Sequence, residues 1–352
     1  MLNYDGGEIK NLHYGLIHSG LPTLVDVSKD SLPFVNEAST PKKYTLCKEG
    51  DVAFADASED TNEVGKVVEF LNTNGENIIS GLHTIHGRDK SDTTVTGFKG
   101  YAFSSMPFHH QIRRIAQGTK IYSISTKTFD EVYIGVPTKD EQAKIARLLQ
   151  LLDERISTQH KIIDNLQSLI KGLRERIFAP MLSNLIKLGA IANITNGSGD
   201  VQDAISKYAD DLYPFFDRSE DMKYFSSFGF DAEAIIYAGE GSEFLPRYYN
   251  GKFALHQRCY AITNFNKDYI PRFVYHFLST QNNYFIRKAV GSTVPSLRMD
   301  TFQNIGIPIV DKTLQSYVSN RLDTICRLYD YEKQILSLYR NQKDYLLQNL
   351  FI

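Results

Sequence analysis

Tryptophan is absent from the 352 residues, and cysteine nearly so, with Cys47, Cys259 and Cys326 far apart and no C-x-x-C pair. That scarcity argues against a disulfide framework and a structural zinc site, and a reducing cytoplasm is the expected compartment. No apolar run approaches the roughly 18 residues of a membrane span. The first residues carry Asp5, Glu8, Lys10 and His13 where a secretory leader would be apolar. Neither sign of charge dominates: 39 Lys and Arg against 41 Asp and Glu leave a net charge of −2, which excludes a uniformly basic coat and leaves local patches open.

Catalytic motifs are missing as well. The chain holds no G-x-G-x-x-G, no G-K-[ST] phosphate loop, no H-E-x-x-H and no G-x-S-x-G elbow, so Asn196-Gly-Ser-Gly199 and Gly239-Glu-Gly-Ser242 read as turns. Asp51, Asp56, Glu59 and Asp60 fall in a polar stretch where solvation is the default meaning. A metal-dependent nuclease would have to use His83 and His86, with Asp56, Glu59, His109 and His110 as further ligands. His86, however, has no counterpart in the second half of the chain. The expectation is a non-catalytic protein without a metal.

What is present is a duplication. Shifted by 173 residues, the chain meets itself without a gap: Arg114, Gly118, Ser123, Phe129, Ile134, Gln142, Leu149 and Phe178 fall on Arg287, Gly291, Ser296, Phe302, Ile307, Gln315, Leu322 and Phe351. Upstream the order recurs loosely: Asn74-Gly75 and Asn250-Gly251 as hairpin turns, then His83 and His256 in apolar stretches, then Tyr101 and Phe103, Tyr275 and Phe277. The repeating unit is a globular part containing short strands, among them Val64–Phe70, Asn77–Ile85, Ala234–Tyr237 and Lys252–Ile262, followed by a long helix.

The helices are the clearest local pattern. Leu149, Ile156, Ile163, Ile170 and Ile177 occupy one heptad position and Leu152, Gln159, Leu166 and Leu173 the other, a 3.5-residue seam that predicts a coiled coil. The shifted register gives Leu322, Tyr329, Leu336, Lys343 and Leu350 with Ile325, Glu332, Tyr339 and Leu346. Each helix, from near Pro137 to Phe178 and from near Asp311 to the C-terminus, predicts a rod of about 60 Å. Gln159 and Glu332, polar at the same level, either fix register or sit at a wet edge.

Charge is unevenly placed. Asp92 to Asp130 encloses no acid but five cations, Lys99, Arg113, Arg114, Lys120 and Lys127. From Phe244 to Met299 only Asp268 opposes eight cations, with Tyr248, Tyr249, Tyr275 and Tyr284 between them. Two basic, aromatic faces held apart on a rod suit the reading of two half-sites on a polyanion, whereas a plain solvated face is the bland alternative.

At this point the residues resemble a known family, the DNA specificity subunit of type I restriction-modification systems. The likeness is carried by Glu49-Gly-Asp-Val-Ala-Phe-Ala-Asp-Ala-Ser-Glu-Asp60, Val64-Gly-Lys66, Ser80-Gly-Leu-His83, Gln117-Gly-Thr-Lys-Ile-Tyr-Ser-Ile-Ser125 and the junction Val136-Pro-Thr-Lys-Asp-Glu-Gln-Ala-Lys-Ile-Ala146. The second copy keeps Gly291-Ser-Thr293, Ile307-Pro308 and Gln315 but has Leu314 where the first has Glu141.

The resemblance implies an α+β chain of four parts: a first target-recognition domain over 1–137, a central helix over 138–178, a second recognition domain over 179–311 and a C-terminal helix over 312–352, the two helices antiparallel. It implies a reader of bipartite double-stranded DNA that docks two methyltransferase subunits. Those partners would carry S-adenosylmethionine and methylate adenine, while restriction/translocase subunits would use ATP and Mg; no cofactor is expected on this chain. DNA contacts are expected at Tyr14, His83, Arg113, Arg114, Thr119 and Lys120, and at Arg218, His256, Arg258, Arg287, Ser292, Thr293 and Arg298. One departure stands out. Leu185-Ile-Lys-Leu-Gly-Ala-Ile-Ala-Asn-Ile-Thr-Asn-Gly-Ser-Gly199 opens the second domain as such domains usually open, but the first has no equivalent, so roughly 25 to 30 residues of that opening are expected to be lacking. A scaffold that assembles proteins without reading DNA is the runner-up, and the nuclease ranks last.

Overall fold

The computed structural model describes residues 2–36, 43–219 and 221–351. The chain divides into two compact units, Met1–His160 with Gln334–Ile352, and Lys161–Lys333. Each unit therefore owns a globular part and a stretch of both long helices, Lys139–Phe178 and Lys312–Asn349.

In the first unit the central sheet runs in the order Leu24–Asp26, Val67–Asn72, Val52–Ala55, Thr84–Gly87. Its inner strands bury both faces, which is why Val52, Ala53, Phe54, Ala55, Val67 and Val68 read as unbroken apolar runs. Glu69 interrupts one of them for a reason. Fully buried, its carboxylate accepts from the Gly97 and Gly100 amides at 2.9 and 2.7 Å and lies 3.5 Å from buried Lys99. It thus closes the orphan donors at the start of the helix Phe98–Phe103. That helix presents Phe98, Tyr101 and Ala102 to Ile145, Ala146 and Leu149 of the central helix, with Leu346, Leu347 and Leu350 beside them.

The second unit is built on a six-stranded sheet ordered Asn193–Asn196, Cys259–Thr263, Phe230–Ala238, Arg247–Leu255, Tyr213–Phe216, Lys223–Phe225. One face packs on Phe273, Val274 and Phe277 of the helix Pro271–Leu278 and on Phe178, Val318 and Leu322 of the long helices. The repeat is visible in hydrogen bonds. Gln142, fully buried, accepts from the Val95 amide and donates to the carbonyls of Thr93 and Pro137. Gln315, 173 residues on and equally buried, does the same with Ile270, Asp268 and Val310. Each glutamine ties the first turn of a long helix to two strands of connecting chain. Gln315→Ala should strand one amide and two carbonyls and cost about 3 kcal/mol, read as a fall in the denaturant midpoint at unchanged slope.

A second polar anchor differs between the copies. In the first unit the Tyr101 hydroxyl donates to Asp153 at 2.8 Å and Lys343 donates to the same carboxylate at 2.5 Å. With Arg340 lying 2.7 Å from His160, these pairs set the two helices antiparallel within that unit. In the second unit Arg174 donates to His276 Nδ1 at 3.2 Å, so the opposite nitrogen carries the proton toward Asp323 at 2.8 Å. Burial, its largest influence, pushes the His276 pKa below 6.5, with Arg174 and Arg272 helping and Asp323 opposing. A histidine held neutral when folded but free to protonate when unfolded contributes stability that is present above about pH 6.5 and lost on acidification below it. Thermal unfolding should show the midpoint dropping from pH 7.5 to 5.5, and His276→Gln should flatten part of that drop.

Several expectations need correcting. Asn250-Gly251 makes no turn; it lies inside the strand Arg247–Leu255, opposite Glu233 and Ala232, because the neighbouring strand Phe230–Ala238 is long enough to pair past it. Asn74 and Gly75 do form a tight left-handed turn, with φ of 53° and 71°. Its flanking strands pair with other partners rather than with each other, so it joins two sheets. The extended run Asn77–Ile85 breaks at His83, whose φ is 56°. Lys252–Ile262 likewise breaks between two strands.

Candidate nucleic-acid interface

Both globular parts gather loops at one rim. In the first, the turn Gly81-Leu82-His83 joins Ile78–Ser80 to Thr84–Gly87 and lies against the short helix Tyr14–Ser19: the Leu82 carbonyl accepts from the Tyr14 amide, and the Tyr14 and His83 rings meet edge to face at 5.3 Å. The His83 carbonyl accepts from Asp56, whose own carbonyl accepts from Ile124. That places the loop 117–123 next to the turn, with Thr119 and Lys120 exposed at its tip. Arg113 extends from the helix Met106–Ile115 to Asn62 at 3.1 Å on the adjoining loop. The structure therefore assembles Tyr14, His83, Arg113, Thr119 and Lys120 around one edge. Arg114 is exposed on the same helix.

The rim of the second unit is built alike. The turn His256-Gln257-Arg258 joins Arg247–Leu255 to Cys259–Thr263. The His256 amide donates to Phe216, beside Arg218; the Gln257 amide donates to Gly199; and the Arg258 carbonyl accepts from Gly239. Glu240 pairs with Ser296, and Gly241 donates to Pro295, which brings in the loop 290–296 carrying Ser292 and Thr293, with Arg298 just beyond it. Ser292, Thr293, Arg298, Arg218 and Arg258 are exposed, and His256 is half-buried. Arg287 is exposed near the end of the helix Asn282–Lys288, just before this loop. The loops 117–123 and 290–296 are the same device. Each is closed by a backbone pair, Gln117 with Ser123 and Val290 with Ser296, and each turns at a glycine of φ 137° or 107°, Gly118 or Gly291, where a side chain would collide with the far arm of the loop.

Folding changes the electrostatics that the linear sequence suggested. An acid from outside reaches into one of the acid-poor stretches, Glu240 taking Arg258 on both oxygens at 2.8 and 3.0 Å, and on the first rim Asp56 lies 3.2 Å from His83 while Glu63 accepts from Lys66 at 2.9 Å and lies 3.4 Å from His18. Burial alone would lift the Glu63 carboxyl, but Lys66 and then His18 hold it below its usual range, so it is ionised at neutral pH. Some cations of those stretches face inward. Lys99 is buried against Glu69, Arg247 donates to the carbonyls of Asp217 and Ser219, and Arg272 stacks on Tyr248 at 3.6 Å beside Asp323. These bonds stabilise the fold and leave a smaller basic surface, to which the loop tips and exposed Arg113, Arg114 and Arg287 contribute.

His86, offered above as a metal ligand, is committed elsewhere. Its Nε2 lies 2.8 Å from Asp51, which also accepts from Arg88. Among the described residues no three His, Cys, Asp or Glu side chains converge to hold a metal, and no helix is long and apolar enough to cross a membrane. Sequence reasoning missed Leu82, 72% exposed at the turn tip, and Gln257 between the two predicted contacts of its turn.

The seam residues differ in burial. Leu149, Leu152, Ile163, Ile170, Leu322 and Leu336 are buried, while Ile156, Leu166, Leu173, Ile177, Ile325, Tyr329, Tyr339 and Leu346 are half-buried. Gln159 is buried and Glu332 half-buried.

Comparison with known proteins agrees with this geometry. The family model described as the type I restriction modification DNA specificity domain matches twice, over residues 24–168 and 182–338. The specificity subunit of the type I restriction enzyme EcoDI from Escherichia coli is 29% identical over 140 residues, 40% of this chain and 30% of that protein, so the chain spans under a third of that relative's length. The S subunit of a type I restriction-modification system from M. genitalium superposes with a TM-score of 0.62 at 17% identity, over 100% of this chain and 90% of that one. A chain from a structure addressing assembly and conformational transition of the type I R-M system gives 0.58 at 14%, over 96% and 90%. Two family domains in tandem, helices and sheets mixed, and two long helices mark the chain as a member of the type I restriction-modification DNA specificity family.

Proposed function

We propose that the chain is the address-reading subunit of a type I restriction-modification complex: it recognises a bipartite DNA sequence, one half-site per rim, and catalyses nothing itself. The observation that carries this reading is the duplicated rim, in which matched loops 173 residues apart present hydroxyl, amide and cationic side chains on domains of the specificity family. Exposed arginines and lysines at the tips suit phosphate contacts, which fix register. Gln257, Ser292, Thr293 and Thr119 suit base edges, and their different identities in the two rims suit different half-sites.

The long helices would dock the methyltransferase subunits. Each carries large apolar side chains outside the seam: Leu148, Leu151, Ile162 and Leu169 on the first, Tyr317, Leu328, Tyr331, Leu338 and Tyr345 on the second, all at least 38% exposed. Exposed apolar surface of this kind on helices marks a protein contact. S-adenosylmethionine and ATP with Mg belong to the partners in this reading, and the cytoplasm is the compartment.

The test is co-expression with the accompanying methyltransferase in a host free of adenine methylation, followed by mapping of modified adenines. A bipartite motif is the expected result. A stable complex that methylates nothing would overturn DNA reading, and failure to form a complex would overturn the docking role of the helices.

A further inference from the structure

In the second unit the run Asn196-Gly-Ser-Gly199 packs beneath the turn His256-Gln257-Arg258. Gly199 and His256 pair in parallel, the Gln257 amide donates to the Gly199 carbonyl at 3.0 Å, and the Asn196 side chain donates to the Gln257 carbonyl at 3.4 Å. The approach is close, since a Cβ on Gly197 would stand 2.0 Å from the Leu255 carbonyl oxygen. Gln257 thus has both main-chain groups occupied and its side chain exposed. Asp200, the next residue of the run, holds that side chain by one end. One of its carboxylate oxygens accepts from the Gln202 amide at 3.0 Å, and the other accepts from Gln257 Nε2 at 3.4 Å. A carboxylate only accepts, so this contact fixes which way round the Gln257 amide lies. One N–H and the Oε1 remain, and the side chain makes no other hydrogen bond among the described residues.

We propose that Gln257 reads an adenine through the major groove of the second half-site, and that Asp200 is the positioning residue that makes the choice adenine rather than guanine. Adenine presents an acceptor, N7, beside a donor, the N6 amino group, which is the complement of one free N–H beside one free oxygen. Guanine presents two acceptors, N7 and O6, and satisfying both takes both N–H groups of the amide, one of which Asp200 holds. Thymine and cytosine each satisfy only one of the two free atoms, and adenine's donor faces the major groove alone. Support from the turn below is what such a contact needs, because a reading side chain discriminates only when its own orientation is fixed. The middle residue of the corresponding turn in the first unit is Leu82, 72% exposed and without a side-chain hydrogen-bonding group, so this readout belongs to the second half-site.

The assignment rests on the DNA-reading role of the rims, and the test lets the two fail separately. Modified adenines are mapped for complexes of the methyltransferase with the unaltered chain, Gln257→Ala, Gln257→Arg and Asp200→Asn, and duplexes differing at the altered position are then compared by competition binding at matched salt. Gln257→Ala should relax one adenine of the second half-site to any base and leave the first half-site as it was. Gln257→Arg should place guanine there, since arginine is the bidentate partner of O6 and N7. Asp200→Asn keeps an oxygen for the Gln202 amide but puts a donor where the carboxylate accepted, releasing both N–H groups of Gln257. Preference for adenine over guanine should then fall from about 30-fold to below about threefold, with the thermal midpoint unchanged. A merely structural Asp200 would not move base preference. The same motif from every variant would overturn the assignment while leaving DNA reading intact, as would relaxation at a base other than adenine. Should Gln257→Ala abolish modification altogether, Asp200→Asn decides: guanine admitted supports the assignment, and adenine strictly retained overturns it. No bipartite motif from the unaltered chain would overturn DNA reading and this assignment together.

Discussion

Replacing Arg258 and Arg298 together with alanine should weaken DNA retention by the assembled complex about 100-fold at 150 mM salt and reduce the slope of log K against log salt by about 2, the loss of two phosphate contacts. Both side chains are exposed on the second rim, but they start from different states. Arg298 is exposed just beyond the loop tip, whereas Arg258 is held bidentately by Glu240, so binding DNA through Arg258 means exchanging one anion for another. Glu240→Gln should therefore strengthen binding several-fold, the opposite sign to Arg258→Ala, and a filter-binding titration at three salt concentrations reads both. Unchanged slope in the double variant would remove these residues from the interface.

That pairing also marks where the sequence stops being legible. The long helices were readable because their apolar periodicity is a local pattern, and the loops 117–123 and 290–296 were readable because Gly118 and Gly291 hold the same place in a duplicated chain. Glu240 facing Arg258 and Asp56 facing His83 were not, since the partners stand 18 and 27 residues apart and no local pattern joins them. Glu69 is the extreme case: within a strand it looks like an interruption, and only the position of Gly97 and Gly100 makes its burial intelligible. Sheet order had the same fate. Parallel pairing of Leu24–Asp26 with Val67–Asn72 joins chain segments some forty residues apart, and no turn chemistry between them announces it.

The helices give the second large effect. Ile163→Asp should destabilise the protein by about 4 kcal/mol or leave it insoluble, because Ile163 is only 8% exposed and a carboxylate placed there loses most of its hydration. Loss of methyltransferase binding by that variant alone would not separate unfolding from a lost contact. Leu338→Asp supplies the separation, since Leu338 is 66% exposed and its replacement should leave thermal unfolding within about 1 °C while weakening co-purification of the methyltransferase at least tenfold. The two changes lie on helix faces of opposite character, one turned into the fold and one turned out. If Ile163→Asp were stable, the heptad would be misassigned; if Leu338→Asp kept full partner binding, the apolar residues outside the seam would serve something other than docking.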